Sequence, residues 1–324
     1  MNIGVNVGYS HTKVVTRDRR AVFASVVGTT ETSRFNVMGV DGTIMLVEPE
    51  EVQVGAGAVS QSRFLRRRED RDWIHSKEWY ALFLAAYSQV ADTAFDKSVR
   101  VVTGLPVAFY DDGRGLRDRL LGRHRVQRKD EGAQSFEVTD CRVIPEPFGT
   151  LLSVCLDDRG RIVDQDLATG AVGVVDVGGK TTNLLSVNKL AEIGRETVSV
   201  NVGAWDAVRG VREWLGVHCP NRDYRDHEIM DAIIARETKY YGDRVDLSEP
   251  VAKVLEPLAE QVVGEASQLW NGAAALDAIL VSGGGALLVG DQVRRHFRHA
   301  RVVEDPVYAN ALGFWRFAQR QDLR

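Results

Sequence analysis

Cysteine and proline are scarce in this chain, and no apolar run is long. Three cysteines, Cys141, Cys155 and Cys219, stand far apart in 324 residues. An odd, scattered set excludes a disulfide framework and fits a reducing compartment. No stretch is apolar for long enough to span a bilayer, and the first residues enter an apolar β-branched run without a basic leader. The expectation is a cytoplasmic protein with no membrane partner. Charge of one sign is lacking too: the net charge is −4 at pH 7, so nothing in bulk favours nucleic acid, and no direct nucleic-acid contact is expected. Two short runs are basic, Arg63–Arg71 and Arg294–Arg301. Each reads first as a solvated face and second as a partner contact. His218, Cys219 and His227 come nearest to a metal cluster, but their spacing fits no standard site. A 44% hydrophobic and 27% charged composition is that of an ordinary globular chain, long enough for about two domains.

Glycine is plentiful, and it is placed. Ile3-Gly4-Val5-Asn6-Val7-Gly8-Tyr9-Ser10-His11-Thr12-Lys13 opens the chain, Val174-Val175-Asp176-Val177-Gly178-Gly179-Lys180-Thr181-Thr182 stands in the middle, and Ile279-Leu280-Val281-Ser282-Gly283-Gly284-Gly285-Ala286 lies near the end. Each follows a run that reads as a buried strand. The first two continue into a second extended segment, which predicts two β-hairpins with glycine at the tips. Backbone N–H groups at such a tip can form an anion-binding concavity, and glycine lets the backbone approach a phosphate closely. Two such tips facing each other would clamp a polyphosphate.

The rest of the chain alternates strand and helix patterns. Strands are expected at Ala21–Val27, Val99–Leu105 and Phe136–Ile144, and helices at Trp79–Val90, Gly115–Leu121 and Phe148–Leu156. Short extended runs around Asp41-Gly42 suggest a small inserted subdomain. Beyond the second hairpin, helices are expected at Ala204–Leu215, Tyr224–Tyr240, Pro250–Leu269, Ala286–Phe297 and Pro306–Gln319. Each half opens with a glycine-tipped hairpin and continues as α/β, which suggests a duplicated domain.

Together these segments resemble the actin superfamily of ATPases. Asn6–Lys13 is similar to the first phosphate loop, Pro145–Thr150 to the first connecting segment, and Asp176–Thr182 to the second phosphate loop. Ser282–Ala286 is similar to the adenosine loop and Asp305–Phe317 to the second connecting helix. Thr103-Gly104-Leu105-Pro106-Val107, Ser199-Val200-Asn201-Val202-Gly203 and Val307-Tyr308-Ala309-Asn310-Ala311-Leu312-Gly313-Phe314 resemble the ParM/StbA plasmid-segregation branch and its archaeal relatives. The resemblance implies an α/β, actin-like (ribonuclease-H-like, duplicated) fold with two domains around a nucleotide cleft. Domain I would comprise 1–145 plus 306–324, with the inserted subdomain at about 34–62. Domain II would comprise 146–305, with a helical subdomain at about 204–272.

The resemblance also implies roles. Gly8, Tyr9, Ser10 and His11 would meet the phosphates of ATP or ADP, with Lys13 supplying positive charge. Gly178, Gly179, Lys180, Thr181 and Thr182 would do so from the second loop, beside Gly203. Gly283, Gly284 and Gly285 would pass under the adenosine. Asp176 would hold hydrated Mg²⁺ through its waters, and Glu146 would position the attacking water. The first loop of the family normally begins with aspartate; here Asn6 stands there, able to orient a metal-bound water but without charge. The implied function is a nucleotide-dependent, filament-forming ATPase that segregates DNA through a DNA-binding adaptor, with self-association as its first partnership. GTP remains possible. The alternatives within the same fold are a sugar-type small-molecule kinase and a non-polymerising nucleotide switch.

Overall fold

The computed structural model describes residues 1–31, 43–47, 50–66, 70–92, 96–128 and 132–320. The chain divides into two compact units, Met1–Ala168 with Tyr308–Arg324, and Thr169–Val307.

The first unit is built on a six-stranded sheet. Its order is Arg20–Ala24, His11–Val15, Asn2–Val7, Ser98–Leu105, Gln134–Pro145 and Gly122–Val126. The first three strands form an antiparallel meander, and Asn2–Val7, Ser98–Leu105 and Gln134–Pro145 run parallel. Alternation along Asn2–Val7 explains its two faces. Ile3, Val5 and Val7 join the core around helix Lys77–Val90, whose start is capped by Ser76 Oγ accepting from Trp79 N (3.0 Å). Gly4 points the other way, where a Cβ would run into Ala311 O and Trp315 N. Helix Ala309–Ala318 therefore lies directly on strand backbone. It also crosses helix Glu146–Cys155 at two glycines: a Cβ on Gly149 would stand 2.6 Å from Asn310 O, and one on Gly313 would run into Gly149 O. This crossing places helix Glu146–Cys155 in the first unit, although the expected boundary fell just before it. Thr150 Oγ1 donates to Asn310 Oδ1 (2.8 Å) across the same contact.

A four-stranded sheet, ordered Thr43–Val47, Glu50–Val54, Val27–Thr29 and Leu65–Arg66, occupies the region where an inserted subdomain was expected, together with helix Ala56–Gln61. The Asp41-Gly42 turn lies outside the described residues.

The second unit holds the strands Ala191–Glu192, Thr182–Asn188, Ala171–Val177, Ala278–Ser282 and Ala300–Val302 in that order, with Val198–Val200 also pairing to Thr182–Asn188. Helices Ala204–His218, Ser248–Leu269 and Ala286–His296 cover the β-branched core of the sheet. The region from about 204 to 272 is not all helix. The expected helix Tyr224–Tyr240 is shorter, Asp226–Ala235, and ends at Arg236 with φ +60°. Glu237–Tyr240 then pairs with Asp243–Asp246. The turn between them, Tyr241-Gly242, has φ +50° and +92°, as a two-residue hairpin turn of this hand requires. The last helix begins at Ala309 rather than Pro306, because Pro306 O is engaged by Gly283 N (2.9 Å).

Candidate functional site

In the first unit the opening hairpin closes with Val7 opposite Thr12 and Asn6 opposite Lys13. Gly8 N donates to His11 O (3.2 Å), which leaves Gly8, Tyr9, Ser10 and His11 as the tip. A Cβ on Gly8 would stand 3.7 Å from Asn6 Oδ1 and 3.8 Å from Lys13 Nζ. The two side chains that face each other in register therefore converge on the glycine. Asn6 is 4% exposed, and its Oδ1 is buried without a hydrogen-bond partner. The Tyr9 ring stacks on Trp73 (6.2 Å). Ser10 O accepts from Ser25 N (2.9 Å), and Ser10 Oγ meets His11 Nδ1 at 2.9 Å, which ties the ring to the loop.

Asn6 follows the Val5–Thr103 pair of parallel strands, so its neighbour in register is Gly104. A Cβ on Gly104 would stand 3.2 Å from Glu146 Cγ. Asn6, Gly104 and Glu146 thus line the C-terminal ends of the parallel strands, the edge where open α/β sheets bind ligands. Glu146 is the first residue of its helix, where the helix dipole favours a carboxylate.

In the second unit Gly178 N closes the hairpin on Thr181 O (2.8 Å). Helix Ala204–His218 begins against this tip. Ala204 N donates to Gly178 O (3.0 Å) and Trp205 N to Gly179 O (2.8 Å). A planar trans peptide points its N–H opposite to its C=O, so the amides of Gly179 and Lys180 turn away from the helix. This close docking requires Gly203, where a Cβ would stand 2.8 Å from Gly179 C and 2.9 Å from Gly178 O. Thr182 is fully buried and its hydroxyl donates to Val202 O (2.8 Å). Thr181 is buried and Lys180 half-buried.

Asp176, 4% exposed, lies beside this tip. It pairs in register with Ser282 and Asn183, and Ser282 Oγ donates to its Oδ1 (3.3 Å). The third glycine turn packs on the same strand end: Gly285 N donates to Val177 O (2.9 Å). Gly283 takes φ +84°, and a Cβ there would stand 2.7 Å from Asp176 Oδ1. Gly284 is exposed with open space around it.

Among the described residues the buried carboxylates are Glu146, at 8% exposure, and Asp176. Burying a carboxylate is costly without a partner, and each of these sits at a strand end beside glycine backbone. The sequence reading placed Ser282 and Gly104 within motifs but gave neither a role, and it did not foresee the Thr150–Asn310 bond. A serine directly before three glycines, on an otherwise apolar strand, was the available signal for the first.

Residues 4–149 match the model of the N-terminal domain of actin-like proteins, and residues 174–295 match that of the C-terminal domain of archaeal MreB-like actin homologues. Both matched models are of actin-like proteins, and the chain has the actin-like fold. No curated protein sequence matches it significantly. Three solved structures similar to this actin-like chain cover nearly all of it. Ta0583, an archaeal actin homologue in complex with ADP, is 20% identical with a TM-score of 0.82, covering 99% of this chain and 100% of that one. A 15-stranded ParM filament from Clostridium botulinum is 21% identical with a TM-score of 0.80 and 98% coverage of each. A non-polymerisable quadruple mutant of pCBH ParM is 21% identical with a TM-score of 0.81 and 98% coverage of each. At such identities the likeness establishes the fold.

In the second unit the two outward amides of the hairpin tip, beside buried Asp176, suit an anion. Among the described residues no three His, Cys, Asp or Glu side chains could together hold a metal. A hard cation that keeps most of its waters needs no such cage. No helix of the described residues is long and apolar enough to cross a membrane.

Proposed function

We propose that this chain is a cytoplasmic ATPase whose nucleotide state controls assembly into filaments. The observation that carries the reading is the second hairpin, where the Gly179 and Lys180 amides turn outward beside buried Asp176. Amides so oriented favour an anion, and a buried acid beside them suits a cation that accompanies it. ADP in the Ta0583 structure supports nucleotide as that anion, and the ParM filament supports assembly.

The phosphates would be held by the amides of both tips and by Lys13, and Gly283–Gly285 would pass beneath the nucleoside. Asp176 and Asn6 would hold the waters of Mg²⁺, which neutralises phosphate charge when bound. Glu146 would orient the attacking water and accept its proton. Positioning and charge stabilisation are most of what phosphoryl transfer to water needs. The resemblance to ParM/StbA further suggests DNA segregation through a DNA-binding adaptor.

Sedimentation and electron microscopy with Mg-ATP, Mg-ADP or no nucleotide test this reading. Filaments are expected with Mg-ATP. Glu146→Gln should bind nucleotide normally and hydrolyse it about 10²–10⁴-fold more slowly. Undiminished hydrolysis by Asp176→Ala would show that the site lies elsewhere.

A further inference from the structure

In the first unit, strand Gln134–Pro145 is longer than its outer neighbour. Gly122–Val126 pairs with it only from Gln134 to Val138, whereas Ser98–Leu105 follows its other side as far as Pro145. The register shifts between Val138 and Asp140, and a bulge of this kind disrupts pairing and bends the strand. Among the described residues no strand covers the outer side of Asp140–Pro145.

Two observations identify the backbone groups that face outward. Cys141 O accepts from Arg117 Nε (3.2 Å), on helix Gly113–Leu120, and so points away from the sheet. Peptide groups alternate in direction along a strand, so Val143 N–H and C=O point the same way, as an N–H at position 145 would. That position is proline, which a sheet accepts where the missing N–H would face no partner strand. An edge with open N–H and C=O groups is a template for another strand.

This edge lies in a groove. A cavity of about 360 Å³ is lined by Asp140–Ile144 together with Tyr110, Arg117 and Phe317. Val143 and Ile144 point to opposite faces of the sheet. Helix Gly113–Leu120 packs on the Val143 face, where a Cβ on Gly113 would stand 3.2 Å from Val143 Cγ1. Phe317 packs with Ile144 on the other face. Val143, Ile144 and Phe317 are only half-buried, and Tyr110 is 42% exposed. Asp140 lies 3.6 Å from Arg100 and Asp118 lies 3.4 Å from Arg117. Arg142, on the Ile144 face, makes no ion pair among the described residues. The groove therefore keeps an uncompensated cation beside bare apolar side chains.

Arg117 serves in part to blunt the edge. It occupies one carbonyl, and accounts neither for the outward Val143 amide nor for the cavity.

We propose that this edge takes up an extended segment of another protein as an added strand, one that sets an acidic residue next to an aliphatic or aromatic one. Main-chain hydrogen bonds to Val143 would supply affinity, and alternate side chains of the segment would enter the two sides of the groove. The acid is chosen by charge complementarity to Arg142. A second copy paired edge to edge would instead bring Arg117 and Arg142 against their own kind. None of these residues belongs to the nucleotide site, and the inference does not depend on filament formation.

A phage-displayed library of random octapeptides tests it, selected on the wild-type chain after depletion on Arg142→Glu with Tyr110→Ala. ATP binding reports the folding of that variant. Enriched sequences should set an acid next to an apolar residue. A synthetic peptide of the enriched sequence should bind Arg142→Glu about tenfold more weakly, or worse. N-methylation should weaken the peptide at alternate amides only, because every second amide meets the edge. Val143 N–H should exchange with deuterium about tenfold more slowly, or less, once peptide is bound. Failure to enrich any sequence, or equal affinity for Arg142→Glu, overturns the site. Indifference to N-methylation overturns strand addition. Protection of Val143 N–H that rises with the concentration of nucleotide-free protein, without peptide, assigns the edge to a second copy and overturns the proposal.

Discussion

Replacing Asn6 by leucine should stabilise the nucleotide-free chain and weaken its response to Mg-nucleotide. The reasoning starts from one atom. Asn6 is 4% exposed and its Oδ1 has no hydrogen-bond partner. A buried acceptor left unpaired costs about 1–3 kcal/mol, whereas an apolar group of similar shape carries no such cost. Leucine has the branched side-chain skeleton of asparagine, but its methyl groups are bulkier, and the added bulk takes back part of that cost. The gain should therefore be about 1–2 kcal/mol, or about 2–4 °C in Tm for each kcal/mol in a body of this size.

The ligand response should move the other way. A hydrogen bond with a charged partner contributes about 1.5–3 kcal/mol, and a cation-bound water is such a partner for Oδ1. Its loss weakens binding tenfold or more. Calorimetric unfolding in EDTA, and again with a fixed excess of Mg-ADP, measures both quantities on one sample. Asn6→Asp serves as the opposing case. It buries a further carboxylate, so the nucleotide-free chain should lose stability, while the Mg²⁺ concentration needed for nucleotide binding should fall. A leucine variant less stable than wild type without ligand would mean that the amide oxygen has a partner the fold needs. An unchanged Mg-ADP shift would mean that Asn6 does not face the ligand.

Two further outcomes follow from the packing. A Cβ on Gly313 would run into Gly149 O, so Gly313→Ala should cost about 3 kcal/mol or more by forcing the helices apart. Gly264 lies on helix Ser248–Leu269 with nothing within 4 Å of such a Cβ. Gly264→Ala should instead add about 0.5–1 kcal/mol, and urea midpoints of the pair would expose any error in either estimate. A third outcome concerns His124. Burial lowers its pKa; the ring donates from Nε2 to Leu120 O (2.7 Å), accepts at Nδ1 from Tyr80 OH (2.8 Å), and so stays neutral. The unfolded chain takes up this proton as pH falls through about 6.5, before the folded chain does. The stability is therefore complete above that pH and declines below it, by up to about 1.4 kcal/mol per pH unit. Stability measured between pH 7.5 and 5.5 should fall less steeply in His124→Gln, and equal slopes would refute the assignment.

Most of the sheet framework is legible from the chain because its strands are buried, and burial writes β-branched runs into the sequence. Asn2–Val7, Ala171–Val177 and Ala278–Ser282 are of this kind. Gly122–Val126 is not: Arg123, His124 and Arg125 interrupt it, and an edge strand with charge on its outer face gives only a faint alternation. The segment Tyr224–Tyr240 misleads for a different reason. Its first half has true helical spacing, and the hairpin that follows is set by Tyr241-Gly242, a turn whose left-handed φ values no periodicity reveals.

The site shows the same limit more sharply, because glycine enters it for three separate reasons. Gly283 is needed for its positive φ, Gly203 because a helix end meets two carbonyls, and Gly104 because the Phe314 ring packs against it with Glu146 Cγ next to it. In sequence all three look alike, and only the hairpin glycines stand where a turn would be expected. The orientation of the Gly179 and Lys180 amides is legible nowhere in their own loop. It is imposed by Ala204 and Trp205, whose N–H groups take the carbonyls from the other side. The outward set of the second hairpin's amides therefore depends on a helix more than twenty residues away in sequence. A substitution at Gly203 should then damage ligand binding as surely as one at the tip itself.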